Sequence, residues 1–305
     1  MSNSTDKYLI VIAGPTAVGK TALCLTLAQN LNTEIISADS RQFFKELNIG
    51  TAKPSTQELE MVPHHFINSH SIQEPYSAGD FERDVLKLLE DLFSKNQCII
   101  LTGGSGLYIK AVLEGLDNLP QPDPELRKFL TQRLETEGLE VLQKEVAQID
   151  PTFASTTEIQ NPQRVVRALE VYQTTRLPIS SYQKQQKAIR PFKTIDIAIN
   201  RDREILYNRI DQRMDLMLQE GLVQEATNLL PYRNHHALQT VGYKEIYAFL
   251  DGEYDYKEMV RLLKQNSRRY AKRQITWFKH QGDFKWFDAD HTAEITAYIQ
   301  SIINK

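Results

Sequence analysis

Residues Gly14-Pro15-Thr16-Ala17-Val18-Gly19-Lys20-Thr21 fit the pattern G-x-x-x-x-G-K-[ST] at every fixed position. The apolar run Tyr8–Ala13 before them reads as a buried strand, and a helix is expected from Gly19 through about Leu31. A strand that feeds such a loop directly into a helix constrains the fold more than any other feature of the chain. The loop turns successive backbone N–H groups inward around a phosphate, and the helix N-terminus adds partial positive charge. Gly14 and Gly19 permit the tight backbone approach. Lys20, expected to be exposed in the loop, supplies a point charge, and Thr21 can ligate Mg²⁺.

A loop of this nucleotide-binding type usually announces NTP hydrolysis, but the supporting parts are missing. A Walker-B strand would end in an acid that holds the metal. The best later strand, Cys98–Thr102, runs instead into Gly103-Gly104-Ser105, and no N-K-x-D signature occurs. A loop able to hold two linked phosphates can equally hold a diphosphate that departs as a leaving group.

Further along, strand-like runs at 34–37, 98–102 and 194–199 alternate with helical patterns, one of them capped by Ser77. This alternation implies parallel βαβ units. The fold class is therefore α/β, a P-loop-type parallel sheet core covered by helices, with a helical insertion domain. The rhythm stops at Leu119-Pro120-Gln121-Pro122. Residues 1–120 and 191–305 should form the core with C-terminal helices, and 121–190 the insertion. Asp202 to Glu220 reads as a long amphipathic helix with Gly221 as its C-cap, and 284–287 as a short strand.

Asp39 follows the second strand. Loops at the carboxyl ends of parallel strands converge on ligand, so Asp39 should lie near Lys20 as a general base, or else serve as a loop or capping acid. Ser105 belongs to the same rim and would either donate to a phosphate oxygen or cap the next helix. Adjacent His64 and His65 point apart and fit a structural role better than shared ligation. The charges of the 202–220 helix, Asp211 and Arg209 among them, read by default as a solvated face.

The formal net charge of −3 argues against a general nucleic-acid coat, but its distribution is uneven. Residues 261–280 carry seven Lys or Arg and no acid, and residues 161–193 carry seven against the single acid Glu170. Lys272 and Arg273 lie in the first of these segments. Tyr270, Trp277 and Phe278 read chiefly as core, with base stacking as the alternative. Cys24 and Cys98 form no C-x-x-C pair and read as reduced core thiols. No apolar run approaches the roughly 20 residues of a membrane span, and no secretory or transit signal is apparent. A cytoplasmic, monomeric protein is expected.

The motifs GPTAVGKT, SADSRQFF, GTAKP, PHHF, YSAGDF, TGGSGLY, NPQRVVRALE, VGYKE and KRQITWF occur in this order. Together they resemble the bacterial tRNA dimethylallyltransferase (tRNA isopentenyltransferase) family over nearly the whole chain. The resemblance implies transfer of dimethylallyl from dimethylallyl diphosphate to N6 of adenosine 37 in tRNAs reading codons that begin with U, with Mg²⁺. It implies that Gly14 to Thr21 hold diphosphate, that Asp39 accepts the N6 proton, and that Arg213 lies near the diphosphate. It also implies that Asp39, Ser40, Arg41, Gln42, Ser105, Arg127, Gln163, Arg164, Val165, Val166 and Arg167 touch the tRNA anticodon stem-loop. Many members have Gly-Gly-Thr where this chain has Gly103-Gly104-Ser105; the hydroxyl is kept and the rotamer-fixing methyl is lost. A small-molecule kinase, an adenylate isopentenyltransferase and an RNA-binding protein with an inactive loop are the competing readings.

Overall fold

The computed structural model describes residues 6–117, 119–121, 123–183 and 187–304. Residues 1–5, where a leader was sought, and Pro122, used as a domain edge, lie outside the described residues. Six strands, β1 (Tyr8–Ala13), β2 (Ile35–Ser37), β3 (His64–His65), β4 (Cys98–Gly103), β5 (Lys193–Asn200) and β6 (Lys285–Asp288), form one sheet in the order β3-β2-β4-β1-β5-β6. Every pairing is parallel. The helices are α1 (Lys20–Leu31), α2 (Thr56–Met61), α3 (Ala78–Lys95), α4 (Gly106–Glu114), α5 (Pro124–Glu137), α6 (Leu139–Ile149), α7 (Pro151–Ala154), α8 (Pro162–Thr175), α9 (Arg203–Gln219), α10 (Leu222–Asn228), α11 (Tyr243–Leu250), α12 (Tyr256–His280) and α13 (Thr292–Ile303).

The two-residue period of β1 builds both cores. Tyr8, Ile10 and Ile12 pack with Leu23 and Leu27 of α1, Leu206 and Ile210 of α9, and Ile295 and Ile299 of α13. Leu9, Val11 and Ala13 face the other side, against Phe81, Val85 and Leu89 of α3, Ile109 of α4 and Phe278 of α12. A strand buried on both faces reads as a continuous apolar run, which is why β1 and β4 are legible. The α3 start carries the expected Ser77 cap, closed into a capping box by Asp80. Gly221 ends α9 as expected: left-handed (φ 102°), it follows the cap residue Glu220, donates its amide to the Leu218 carbonyl at 3.3 Å and leads into α10. The short strand β3 was not anticipated, because two residues carry no periodicity; His65 Nε2 lies 2.7 Å from Glu34 and His64 Nδ1 2.7 Å from the Val62 carbonyl.

The chain divides into two compact units, Met1–Glu114 with Ile189–Lys305, and Gly115–Ala188. The second starts before the expected edge at 121 and ends before 190. Arg190 belongs with the first unit, where its guanidinium donates to Glu82 and to the Ala111 carbonyl. The second unit holds α5 to α8, with no strand among its described residues, around its own core of Leu130, Leu142, Val146, Phe153, Val165 and Leu169.

Residues 115–188 produced alone are expected to unfold cooperatively, with Phe153→Ala costing about 3–5 kcal/mol as for other fully buried aromatics. Urea melts followed by helical circular dichroism check this; a non-cooperative wild-type melt would contradict it.

Candidate active site

The register sets Ala13 of β1 opposite Gly103 of β4 and Ala198 of β5, so the loops that leave these strands start level with one another. The 14–21 loop leaves β1, Asp39 follows β2, Ser105 follows β4, and Arg201 follows β5. The glycines are steric requirements. A Cβ on Gly103 would come within 2.2 Å of the Ala38 carbonyl oxygen, and one on Gly104 within 2.2 Å of Gln274 Nε2. Gly19 sits at φ 113°, which a side chain rarely adopts.

The loop is held from three directions. Gln274 of α12 accepts from the Thr16 amide at 2.9 Å and donates to the Gly104 carbonyl at 2.9 Å. Arg201 donates to the Val18 carbonyl at 2.6 Å and pairs with Asp290. From α9, Arg209 donates to the Ala17 carbonyl at 2.8 Å, and Arg213 donates to the Thr16 hydroxyl. Sequence reasoning missed Gln274, Arg201 and Arg209. The spacing of Arg209 and Arg213, one helical turn apart on a face opposed to the loop, was the available signal. Asp211 leaves that face and binds Arg268 of α12 at 2.5 and 2.6 Å.

Lys20 is half-buried, which corrects the expectation that it is exposed. Its ammonium donates to the carbonyls of Gly14 (2.9 Å) and Pro15 (2.8 Å). Burial pushes its pKa down to about 8, with Asp39 opposing the shift and Arg213 adding to it. Burial likewise pushes Arg213 below its ordinary value, partly offset by Asp39. Four cations, Lys20, Lys53, Arg209 and Arg213, and two carboxylates, Asp39 and Glu58, line a cleft of about 370 Å³ together with the 16–22 segment, Gln42 and residues 51–54.

Asp39 accepts from the Arg41 amide at 2.9 Å, a local turn that holds the carboxylate at the cleft. Ser105 accepts from the Ser40 amide at 2.9 Å and donates to the Ser40 hydroxyl at 3.1 Å. It therefore anchors the 39–42 turn. Arg41 leaves a buried Nε without a partner among the described residues. Lys272 and Arg273 are exposed on α12, with Arg273 5.7 Å from the Tyr270 ring centre. Trp277 is half-buried, and a Cβ on Gly106 would collide with its ring. Its packing explains the core reading.

In the second unit, Gln163 and Arg164 are exposed at the start of α8. Arg127 and Arg167 both donate to the buried Glu170 carboxylate at 2.6 Å. Val165 and Val166 bury their side chains in the unit's core. Any contact they make with RNA runs through the backbone or their neighbours.

No group of three or more His, Cys, Asp and Glu able to cage a metal exists among the described residues. Thr21, exposed at the first turn of α1, and Asp39 are among the oxygen donors of the cleft, whose other carboxylate, Glu58, accepts from the Ser55 amide. That sparse set suits Mg²⁺, which keeps waters and binds through one or two protein oxygens plus substrate phosphates. No helix among the described residues is long and apolar enough to cross a membrane.

Fold and cleft together define an α/β protein with a P-loop-type parallel sheet and an acid facing the 14–21 loop. The IPP transferase family model matches residues 42–281. A tRNA dimethylallyltransferase from Cytophaga hutchinsonii is 55% identical over 296 residues, covering 97% of each chain. The crystal structure of a tRNA isopentenylpyrophosphate transferase from Bacillus halodurans matches with a TM-score of 0.72 and 36% identity, over 98% of this chain and 97% of that one. A eukaryotic dimethylallyltransferase acting on tRNA matches with a TM-score of 0.77 and 29% identity, over 98% of this chain and 80% of that one. The chain belongs to the IPP transferase family.

Binding of a diphosphate at the 14–21 loop is expected to depend on pH through Lys20. A bound anion raises the lysine pKa, so binding takes up a proton once the pH passes about 8. Affinity for dimethylallyl diphosphate is expected to fall above that pH, by up to about tenfold per unit. Lys20→Ala is expected to bind weakly and to lose the proton uptake. Calorimetry in buffers of different ionisation enthalpy reads both; equal uptake by variant and wild type would contradict the assignment.

Proposed function

We propose that the protein transfers the dimethylallyl group of dimethylallyl diphosphate to N6 of adenosine 37 in tRNAs reading codons that start with U. The observation that carries this reading is the cleft itself, in which Asp39 faces Lys20, Arg213 and the phosphate loop. Family membership supports it independently.

The exocyclic adenine amine is a weak nucleophile because its lone pair is delocalised into the ring. As the N6–C1 bond forms and the C1–O bond to diphosphate breaks, the amine proton passes to Asp39. The departing diphosphate is neutralised by the loop amides, Lys20 and Arg213, a preorganised set that needs no rearrangement as charge develops. Arg201, Arg209 and Gln274 hold the loop in shape. Thr21 would hold Mg²⁺, which adds positive charge at the leaving oxygens. No nucleotide is hydrolysed, and the loop's resemblance to ATP-binding loops is one of geometry.

The acceptor base leaves its stack to reach the cleft, as in other enzymes that act on a base. Ser40, Arg41, Gln42 and Ser105 border the acceptor side. Lys272 and Arg273, and in the second unit Arg127, Gln163, Arg164 and Arg167, grip phosphates of the anticodon stem-loop. Arg41 has an unspent donor for this task. Two free buried thiols and a tRNA substrate suit the cytoplasm.

Asp39→Asn is expected to lower kcat by roughly 10²–10⁴, with the Kd for dimethylallyl diphosphate within a few-fold of wild type. Unmodified tRNA, dimethylallyl diphosphate and Mg²⁺ are the substrates, and AMP is the control acceptor. Restoration of the rate by millimolar Mg²⁺ would make Asp39 a metal ligand instead. Preference for AMP would favour the adenylate isopentenyltransferase reading.

A further inference from the structure

The segments GTAKP (Gly50–Pro54) and VGYKE (Val241–Glu245) have no place in the chemistry above, yet they meet. The Glu225 carboxylate of α10 accepts three backbone amides, from Asn48 (3.0 Å), Ile49 (2.8 Å) and Gly50 (2.9 Å). It also accepts the Tyr243 hydroxyl at 2.7 Å. These amides open the 3₁₀ turn Ile49–Thr51, and a carboxylate there satisfies donors the turn leaves free. Tyr243 is fully buried, and a Cβ on Gly50 would come within 2.6 Å of its hydroxyl. Only glycine lets the turn lie this close.

The turn continues into the cleft. Thr51, Ala52, Lys53 and Pro54 line it. Lys53 closes the far end by donating to the Phe44 carbonyl (2.6 Å) and Asn48 Oδ1 (3.0 Å). The carbonyls of Thr51 and Ala52 accept both bonds made by Gln42 Nε2, at 3.2 and 3.1 Å, while Gln42 Oε1 accepts from Ser37 at 3.0 Å. Gln42 is thereby fixed in one orientation three residues from Asp39.

We propose that Glu225 and Tyr243 are positioning residues, a latch that holds the 48–54 turn and, through it, Gln42 and the acceptor side of the cleft. The latch acts on the placement of the adenosine and leaves the diphosphate side alone, because the 14–21 loop is anchored separately by Arg201, Arg209 and Gln274. It rests on the reading of the Asp39 edge as the acceptor side. A displacement of about 1 Å at a reacting group costs on the order of 10²-fold in rate, so loosening a turn that braces Gln42 should be felt in catalysis.

The test uses the full chain. Glu225→Gln keeps volume but turns an amide donor toward amide donors. It is expected to lower kcat with tRNA by about tenfold to a hundredfold, with the Kd for dimethylallyl diphosphate within about threefold of wild type. Tyr243→Phe should act in the same direction by a smaller factor, and Glu225→Asp, which keeps the charge, should recover part of the rate. Wild-type kcat in folded Glu225→Gln, or equal losses in kcat and in diphosphate affinity, would overturn the proposal. Should Glu225→Gln fail to fold, Tyr243→Phe decides on the same readouts. If the wild-type protein gives no transfer to tRNA, the acceptor reading has failed. Amide hydrogen exchange at residues 48–50 then judges the latch: acceleration in Glu225→Gln supports it, and unchanged exchange overturns it.

Discussion

Ala13 lies beside Gly103 on one side and Ala198 on the other, and this parallel register fixes where three functional loops begin. The Thr16 amide, the Gln274 side chain and the Gly104 carbonyl then tie the first two loops together. The approach is so close that a Cβ on Gly103 would strike the Ala38 backbone, and one on Gly104 would displace the Gln274 amide. A shift of one residue in the register would move each loop by about 3.3 Å and turn the β1 side chains to the wrong cores. The cleft is thus a consequence of sheet pairing, and its electrostatics follow from its depth.

That depth creates a tension the ligand relieves. Lys20 and Arg213 face the cleft with burial opposing their charges, and Asp39 offsets only part of that cost. Carbonyls of the loop occupy the Lys20 ammonium. In the proposed reaction a diphosphate supplies the missing negative charge, and its departure from carbon increases that charge. The site is therefore better matched to the transition state than to the free chain. Glu58 is engaged by the Ser55 amide, so in the proposed reaction Asp39 is the carboxylate left for the proton of the incoming amine.

Much of this was legible in the sequence because it rests on local rules. The 14–21 loop carries its own backbone geometry, buried parallel strands read as apolar runs, and an acid after a parallel strand must lie at the ligand edge. Other parts were hidden for definite reasons. β3 has two residues and no period. Gln274 reaches the loop from a helix far along the chain, Arg209 looked like ordinary surface charge until α9 was packed against the loop, and Arg201, just after β5, carried no signal. Helical spacing says which residues share a face but not what that face meets; hence Glu225 carried no signal. Val165 and Val166 sit within a basic segment, and only the packing of α8 shows them facing inward.

The central claim is that the loop holds a departing diphosphate and does not power the reaction with a nucleotide. Counting products tests it most directly. The protein is incubated with unmodified tRNA, Mg²⁺, dimethylallyl diphosphate and γ-labelled ATP. Diphosphate and N6-(dimethylallyl)adenosine are then measured together. One diphosphate released per modified adenosine, with ATP intact, is the expected result. Hydrolysis of ATP in step with the tRNA reaction, or modification without an equal yield of diphosphate, would contradict it.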